Sequence, residues 1–149
     1  MFYGEAALNL DSKGRLAIPV KYRDVIADAC DNKLVLTYNA YENDSLWLYP
    51  QFEWEKIREV ISKLPTANPA NRAIRRRLVS SAYHIEPDKG YRIQLPVTLR
   101  QVASLEKKIV LTGDDNKFEI WNEDAFNKKR FEIPDLSAAS SEILNDLIL

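Results

Sequence analysis

Residues 11–23, DSKGRLAIPVKYR, return in related form at residues 88–100 as DKGYRIQLPVTLR. The opening aspartate, the arginine four places later, the proline and the closing arginine all keep their positions. The run KLVLT (33–37) likewise returns as KIVLT (108–112). Because a structural repeat is a unit that cannot bury its apolar face alone, the sequence predicts one module used twice.

Local patterns predict the elements within each copy. In the first copy Arg15 to Ile18 alternate in the β sense, with Leu16 and Ile18 facing one way. Gly14 can take a positive φ in the turn before this strand, and Asp11 can accept hydrogen bonds from backbone amides across it. Pro19 ends the strand and opens a short helix. The predicted core face of that helix is Tyr22, Val25, Ile26 and Ala29.

Two helices are predicted between the copies. Residues 50–64 form an amphipathic stripe that Pro65 ends, and Asn68 followed by Pro69 starts a second helix running to about Tyr83. The predicted fold class is α+β with a mainly β core. We divide the chain into repeat 1 (residues 5–52), a helical insertion (53–80), repeat 2 (81–124) and a C-terminal helical tail (125–149). The apolar stripe of the tail is Ile143, Leu144, Leu147 and Ile148.

The composition is that of a globular chain. Its 149 residues are 46% hydrophobic and 29% charged. No apolar run approaches the roughly 20 residues that cross a bilayer, and no secretory signal is visible. The single cysteine, Cys30, fits a reducing compartment and is expected to fill a small core position on a helix. We therefore expect a cytoplasmic protein with no membrane partner.

The formal net charge of −1 does not by itself indicate a nucleic-acid binder. A surface for a polyanion must therefore arise from segregation of charge. Segregation is present, because cations predominate in residues 72–100 and in the loop 13–15, and carboxylates predominate from residue 122 onward. The run Arg72–Arg77 has two open interpretations, a binding surface or the solvated face of a helix.

Few residues suggest catalysis. The only histidine, His84, has no His or Cys partner at metal-ligand spacing, and we expect it near a helix C-terminus in a structural role. Asp11 and Asp88 occupy equivalent positions, and symmetry could let them share a proton as an acid–base pair. Each, however, precedes an arginine by four residues, and a nearby guanidinium keeps a carboxylate ionised. We therefore predict no enzyme, no catalytic residue, no metal and no cofactor.

The pattern D-x-x-G-R-[IL]-x-[IL]-P at residues 11–19 resembles the AbrB-like swapped-hairpin DNA-binding module. Two such modules, the initial MFYG, the Asn68–Pro69 helix start and the strand NKFEIW (116–121) together resemble the MraZ family over nearly the whole chain. The resemblance implies a swapped-hairpin barrel formed by the two tandem repeats and a ring-shaped homo-oligomer. It also implies a nucleoid-associated bacterial transcriptional regulator, typically a repressor of the division and cell-wall gene cluster. Such a protein binds short direct repeats in double-stranded promoter DNA and needs no small-molecule substrate.

Carried over by position, the resemblance implies that Arg15 contacts DNA. The further DNA-binding residues are Lys13, Gly14, Arg92, Lys21 and Lys89, and the loop-structuring residues are Asp11, Asp88 and Gly90. The second motif departs from the pattern, because Tyr91 stands where glycine is expected. A tyrosine resists the left-handed conformation, so the second loop either turns one residue sooner at Gly90 or is strained. The geometry of Arg92 depends on which of these holds.

Two other interpretations stay open. Arg15 can pair with Asp11 and staple the loop, a role that is compatible with DNA contact. The protein can also be a structural or protein-interaction ring whose basic loops grip an acidic partner. DNA binding is the interpretation that predicts a steep weakening with salt, because bound phosphates release counterions.

Overall fold

The computed structural model describes residues 1–138. Both repeats contain the series strand, strand, helix, strand, strand. Repeat 1 contributes β1 (Glu5–Asn9), β2 (Arg15–Ala17), α1 (Val20–Cys30), β3 (Leu34–Tyr38) and β4 (Ser45–Pro50). Between the two series lie α2 (Gln51–Ser62), α3 (Pro69–Arg75) and a π-helical turn (Arg76–Ser80). Repeat 2 contributes β5 (Tyr83–Ile85), β6 (Arg92–Gln94), α4 (Val97–Val102), β7 (Lys108–Asp114) and β8 (Lys117–Asn122). They are followed by α5 (Glu123–Arg130) and a 3-10 turn (Leu136–Ala138).

The two repeats exchange strands. Six strands form one antiparallel sheet in the order β1-β7-β8-β4-β3-β5, and β2 and β6 form a separate two-stranded ribbon. Strand β1 of repeat 1 pairs with β7 of repeat 2, and β5 of repeat 2 pairs with β3 of repeat 1. The order of the sheet therefore stays the same when the repeats are interchanged. These elements confirm the α+β class with a mainly β core.

The larger core takes its buried side chains from the sheet, the ribbon and the helices α1 and α4. Leu16 and Ile93 lie opposite one another in the ribbon and are both fully buried. Leu16 and Ile18 both face the core, as the alternation predicts. On α1 the buried face continues through Cys30, which confirms its core position, whereas Ala29 is exposed and its predicted place in the core is wrong.

The inserted helices cover the other face of the sheet. Trp47 and Tyr49 alternate along β4 with residues of the larger core, so they face the opposite way. They form a second core with Trp54 and Ile61 of α2. The amphipathic stripe predicted for residues 50–64 is confirmed by this packing, since α2 spans Gln51–Ser62 and buries its tryptophan and isoleucine.

The second inserted helix is shorter than predicted. Asn68 caps α3 as expected, because its side-chain oxygen accepts a hydrogen bond of 2.8 Å from the backbone N–H two residues ahead. The helix passes into a π-helical turn at Arg76 and ends at Ser80, and Tyr83 and His84 lie on β5. The pairing of β5 with β3 overrides the local helical pattern. His84 is therefore an exposed strand residue, and its predicted place near a helix end is wrong.

The basic run Arg72–Arg77 makes contacts within the chain. Arg72 and Arg75 donate hydrogen bonds to backbone carbonyls at the end of α2 and in the connection before α3. Arg77 donates to backbone carbonyls of the β3–β4 loop. At least three of these arginines thus anchor connections, a role that neither interpretation of the run had described.

The C-terminal segment is described only in part. Asn122 caps α5, whose last residue is Arg130. The predicted apolar stripe of Ile143, Leu144, Leu147 and Ile148 lies outside the described residues. Among the helices of residues 1–138, none is both long and apolar enough to cross a membrane.

Leu16→Ala is expected to lower the free energy of unfolding by about 2–5 kcal/mol, because the substitution leaves a cavity at the buried centre of the ribbon. Urea denaturation followed by circular dichroism measures this difference. Val20→Ala is the matched control, since this aliphatic side chain on α1 is 74% exposed and is expected to change stability by less than about 0.5 kcal/mol. A similar small change for Leu16→Ala would contradict the central role of the ribbon.

Candidate nucleic-acid interface

The first loop is held by one carboxylate. Asp11 accepts hydrogen bonds from the backbone N–H groups of Lys13, at 3.0 Å, and of Arg15, at 2.9 Å. The other carboxylate oxygen accepts from the Arg15 guanidinium Nε at 2.7 Å. Gly14 completes the turn with a φ of 76°. The staple between Arg15 and Asp11 that the sequence left open is therefore present.

The second loop has the same bonds in the same register. Asp88 accepts from the N–H groups of Gly90, at 2.8 Å, and of Arg92, at 2.9 Å, and from the Arg92 Nε at 3.0 Å. Tyr91, and not Gly90, takes the left-handed conformation, with a φ of 56°. Of the two open alternatives, the loop therefore adopts the strained one. Gly90 contributes its N–H group to the loop, whereas its freedom to take a positive φ is not used.

Tyr91 is held in this strained conformation by contacts with repeat 1. Its carbonyl accepts a hydrogen bond of 2.8 Å from the Ile18 N–H, and the guanidinium of Arg23 lies 5.1 Å from its ring centroid. The equivalent contacts hold the first loop. The Leu95 N–H donates to the Gly14 carbonyl at 3.1 Å, and the guanidinium of Arg100 packs so closely on Gly14 that a Cβ there would lie 2.4 Å from its central carbon. Each loop is thus supported by the other repeat.

The ribbon brings the two motif arginines to one surface. Its register sets Arg15 opposite Gln94 and Ala17 opposite Arg92, on either side of the buried Leu16–Ile93 pair. Residues directly opposite in a ribbon share a face, so these four residues all point away from the core. The two arginine Cα atoms are offset by two residues along the strands, which corresponds to a separation of roughly 8 Å.

The predicted lysines lie in different settings. Lys13 and Lys89 are exposed in the two loops, but they are not equivalent, because the second repeat carries its lysine one place earlier in the loop. Lys21 lies on α1 with its Nζ 5.0 Å from the Tyr22 ring centroid, and it points toward Gly4. The structure therefore brings Lys21 to the N-terminal segment, away from the ribbon face.

Sequence reasoning missed Gln94 as a member of this surface. Its side-chain Nε2 donates a hydrogen bond of 2.7 Å to the backbone carbonyl of Lys13 and so ties the ribbon to the first loop. The signal that could have found it is the two-residue alternation of a strand, which sets residue 94 on the same face as Arg92.

Both loop aspartates are held in the ionised form. The backbone N–H of Arg15, together with its guanidinium, lowers the pKa of the Asp11 carboxyl below its ordinary value. The backbone N–H of Arg92 lowers the pKa of Asp88 in the same way. Two carboxyls with lowered pKa values do not share a proton, so the geometry speaks against an acid–base pair. Across residues 1–138, no three side chains of His, Cys, Asp or Glu gather closely enough to hold a metal ion.

Gly14→Ala and Gly90→Ala are expected to differ, although both glycines belong to the repeated motif. The first places a Cβ at a left-handed φ and against Arg100, which is expected to lower the free energy of unfolding by about 1–2 kcal/mol. The second meets no atom nearer than 3.4 Å and is expected to change stability by less than about 1 kcal/mol in either direction. Thermal denaturation measures both changes. An equal loss of stability in the two variants would contradict the assignment of the left-handed conformation to Gly14 and Tyr91.

Asp11→Asn is expected to destabilise the protein at pH 7 and to have less effect at pH 3. Because the folded-state pKa of Asp11 is lowered, the stabilisation is present above the unfolded-state pKa of about 3.9 and is lost as the pH falls through the folded-state value. Urea denaturation at both pH values measures the difference in free energy of unfolding between wild type and variant. Ser12→Ala leaves the carboxylate in place, so its difference from wild type is expected to stay constant. A difference for Asp11→Asn that is as large at pH 3 as at pH 7 would contradict the stabilising role of the Asp11 charge.

Comparisons with known proteins identify relatives of this chain. Residues 1–77 and 78–144 each match the family described as "MraZ protein, putative antitoxin-like". The protein named Transcriptional regulator MraZ from Stenotrophomonas maltophilia is 46% identical over 125 residues, which cover 84% of each chain. The protein of that name from Idiomarina loihiensis is 43% identical and covers 98% of this chain and 95% of its own length. The one from Thioalkalivibrio sulfidiphilus is 42% identical over the full length of both chains. With two tandem family matches and relatives aligned along its whole length, this chain belongs to the MraZ family.

Proposed function

We propose that this protein is a sequence-specific DNA-binding transcriptional regulator, a repressor of the bacterial division and cell-wall gene cluster. The observation that carries the proposal is the ribbon register, which holds two arginines, each braced by an aspartate, on one exposed face. The name Transcriptional regulator MraZ, borne by the three relatives above, supports a regulatory role and not an enzymatic one.

The braced arginines are suited to binding DNA. Within residues 1–138 the side chains of Arg15 and Arg92 donate through Nε to their aspartates, and their Nη groups make no hydrogen bond. The outer edge of each guanidinium can therefore donate to a phosphate or to the O6 and N7 acceptors of guanine. The aspartate removes side-chain freedom before binding, which lowers the entropic cost of the contact.

The shape of the ribbon also suits a duplex. A major groove about 12 Å wide admits a two-stranded β-ribbon. With the exposed face of the ribbon in the groove, Arg15 and Arg92 contact bases or phosphates. Lys13 and Lys89 in the flanking loops act as point charges on the DNA backbone. Gly14, which Arg100 covers, contributes to this surface through the turn that positions Arg15. Lys21 lies further from the ribbon and is assigned to outer phosphates.

Assembly compensates for the small number of cations on one ribbon and its loops, in a chain whose net charge is −1. We propose that the exchanged strands form a swapped-hairpin barrel and that barrels assemble into a ring-shaped homo-oligomer. A ring presents equal ribbons to direct promoter repeats, and the effective concentration raises affinity by about 10²–10⁴ over one contact. We also propose the division of the chain into repeat 1 (5–52), the helical insertion (53–80), repeat 2 (81–124) and the C-terminal tail (125–149). The proposed location is the cytoplasm, in association with the nucleoid.

Arg15→Ala and Arg92→Ala are each expected to weaken binding to DNA from the promoter region of the protein's own operon by about 10- to 100-fold. Fluorescence anisotropy at two salt concentrations measures the affinity and its salt slope. Arg58→Ala is the matched control, because this arginine lies on α2 away from the ribbon and pairs with Glu55. Its affinity is expected to equal that of wild type.

Unchanged binding by Arg15→Ala would show that the ribbon is not the DNA surface. Absence of binding by the wild-type protein at low salt, together with capture of an acidic protein by the same loops, would favour the protein-interaction ring instead.

A further inference from the structure

The exposed face of the ribbon has an approximate two-fold symmetry that one pair of residues breaks. Arg15 and Arg92 hold equivalent positions in the two repeats, and so do the buried Leu16 and Ile93. The next equivalent positions are Ala17 and Gln94, which differ in size and polarity. Because the strands run antiparallel, Gln94 lies beside Arg15 and Ala17 lies beside Arg92. The ribbon face therefore consists of an Arg15–Gln94 half and an Arg92–Ala17 half.

The two halves differ in how firmly their arginines are held. Gln94 donates from Nε2 to the Lys13 carbonyl at 2.7 Å and, more weakly, to the Leu95 carbonyl at 3.4 Å. Ala17 has no group that can tie the second loop in this way. The Arg15 side chain is 25% exposed and its Nε lies 2.7 Å from Asp11, whereas the Arg92 side chain is 44% exposed and its pair is 3.0 Å long.

The chemistry that each half offers to a base pair also differs. The amide nitrogen of Gln94 is bound to two backbone carbonyls, and its Oε1 makes no hydrogen bond within residues 1–138. Gln94 can therefore offer this oxygen as an acceptor in the half of the ribbon that holds Arg15. An acceptor pairs with the exocyclic amine of cytosine or adenine in the major groove. Ala17 offers only a methyl group, which suits the methyl of thymine.

We propose that Gln94 is a specificity-determining residue that gives the ribbon a direction, so that the duplex site read by one chain is asymmetric. A surface with exact two-fold symmetry reads a palindrome, because each half contacts the same bases. Here the Arg15–Gln94 half reads a guanine together with a neighbouring amine-bearing base, and the Arg92–Ala17 half reads a guanine alone or with a thymine. The inference rests on the proposed function, since it concerns the same surface.

The test begins with selection of bound duplexes from a random pool by the full-length protein. Anisotropy then compares three duplexes, the selected site and two inverted-repeat versions, each of which duplicates one half. Wild type is expected to prefer the selected site by about tenfold over both versions, the typical cost of one mismatched base pair. Gln94→Ala is expected to lose this preference and to favour the version built from the Arg92–Ala17 half. Ala17→Gln, which can donate to the Gly90 carbonyl by the same geometry, is expected to favour the other version.

Gln101→Ala is the matched control, because this glutamine is exposed on α4 and lies outside the ribbon. It is expected to keep the wild-type preference. An unchanged preference in Gln94→Ala, with wild type still selecting a sequence, overturns the direction while the proposed function stands. Loss of all binding by a folded Gln94→Ala protein also overturns it, because Gln94 would then supply affinity instead of direction. If wild type selects no sequence, both proposals fall.

Discussion

The burial of Leu16 opposite Ile93 is the contact on which the rest of the structure depends. Side chains of a strand alternate between its faces, so burying this pair turns Arg15 and Arg92 outward. A slip of either strand by one residue would carry its guanidinium group into the core and its aliphatic side chain into water. An unpaired buried charge costs several kcal/mol, so this register is strongly favoured. Three residue pairs thus decide which face of the ribbon carries the two arginines.

Much of this arrangement could be predicted from the sequence, because its signals are local. The repeated motif, the outward Arg15 and the aspartate staple all follow from residue types at fixed short spacings. The pairing of β1 with β7 and of β5 with β3 could not be predicted from the residue pattern alone, since strand partners far apart in the chain leave no local pattern. The same long-range pairing ended the second inserted helix before Tyr83. Tyr91 takes a conformation that its own preference opposes, because Arg23 and Ile18 of the other repeat support it.

Charge patterning was a poor guide to the role of individual cations. The most basic run, Arg72–Arg77, largely donates to backbone carbonyls of neighbouring connections. The ribbon has fewer arginines, but the Nε of each donates to an aspartate carboxylate. An exposed ion pair contributes only about 0–1 kcal/mol to folding. The geometry that it imposes on the guanidinium matters more than this energy, because a side chain with a fixed direction loses less entropy when it meets a partner.

The covalent connection between the repeats has an evolutionary consequence. In a homodimer of single repeats every inherited substitution would appear twice, and the two loops would have to remain identical. In one chain, joined through residues 51–80, the copies have diverged to Gly14 against Tyr91 and Ala17 against Gln94. A new mutation alters one copy only, while the exchanged strands keep both copies in a common fold. The tandem arrangement thus allows partner preference to change by single substitutions, with half of the surface unaltered at each step.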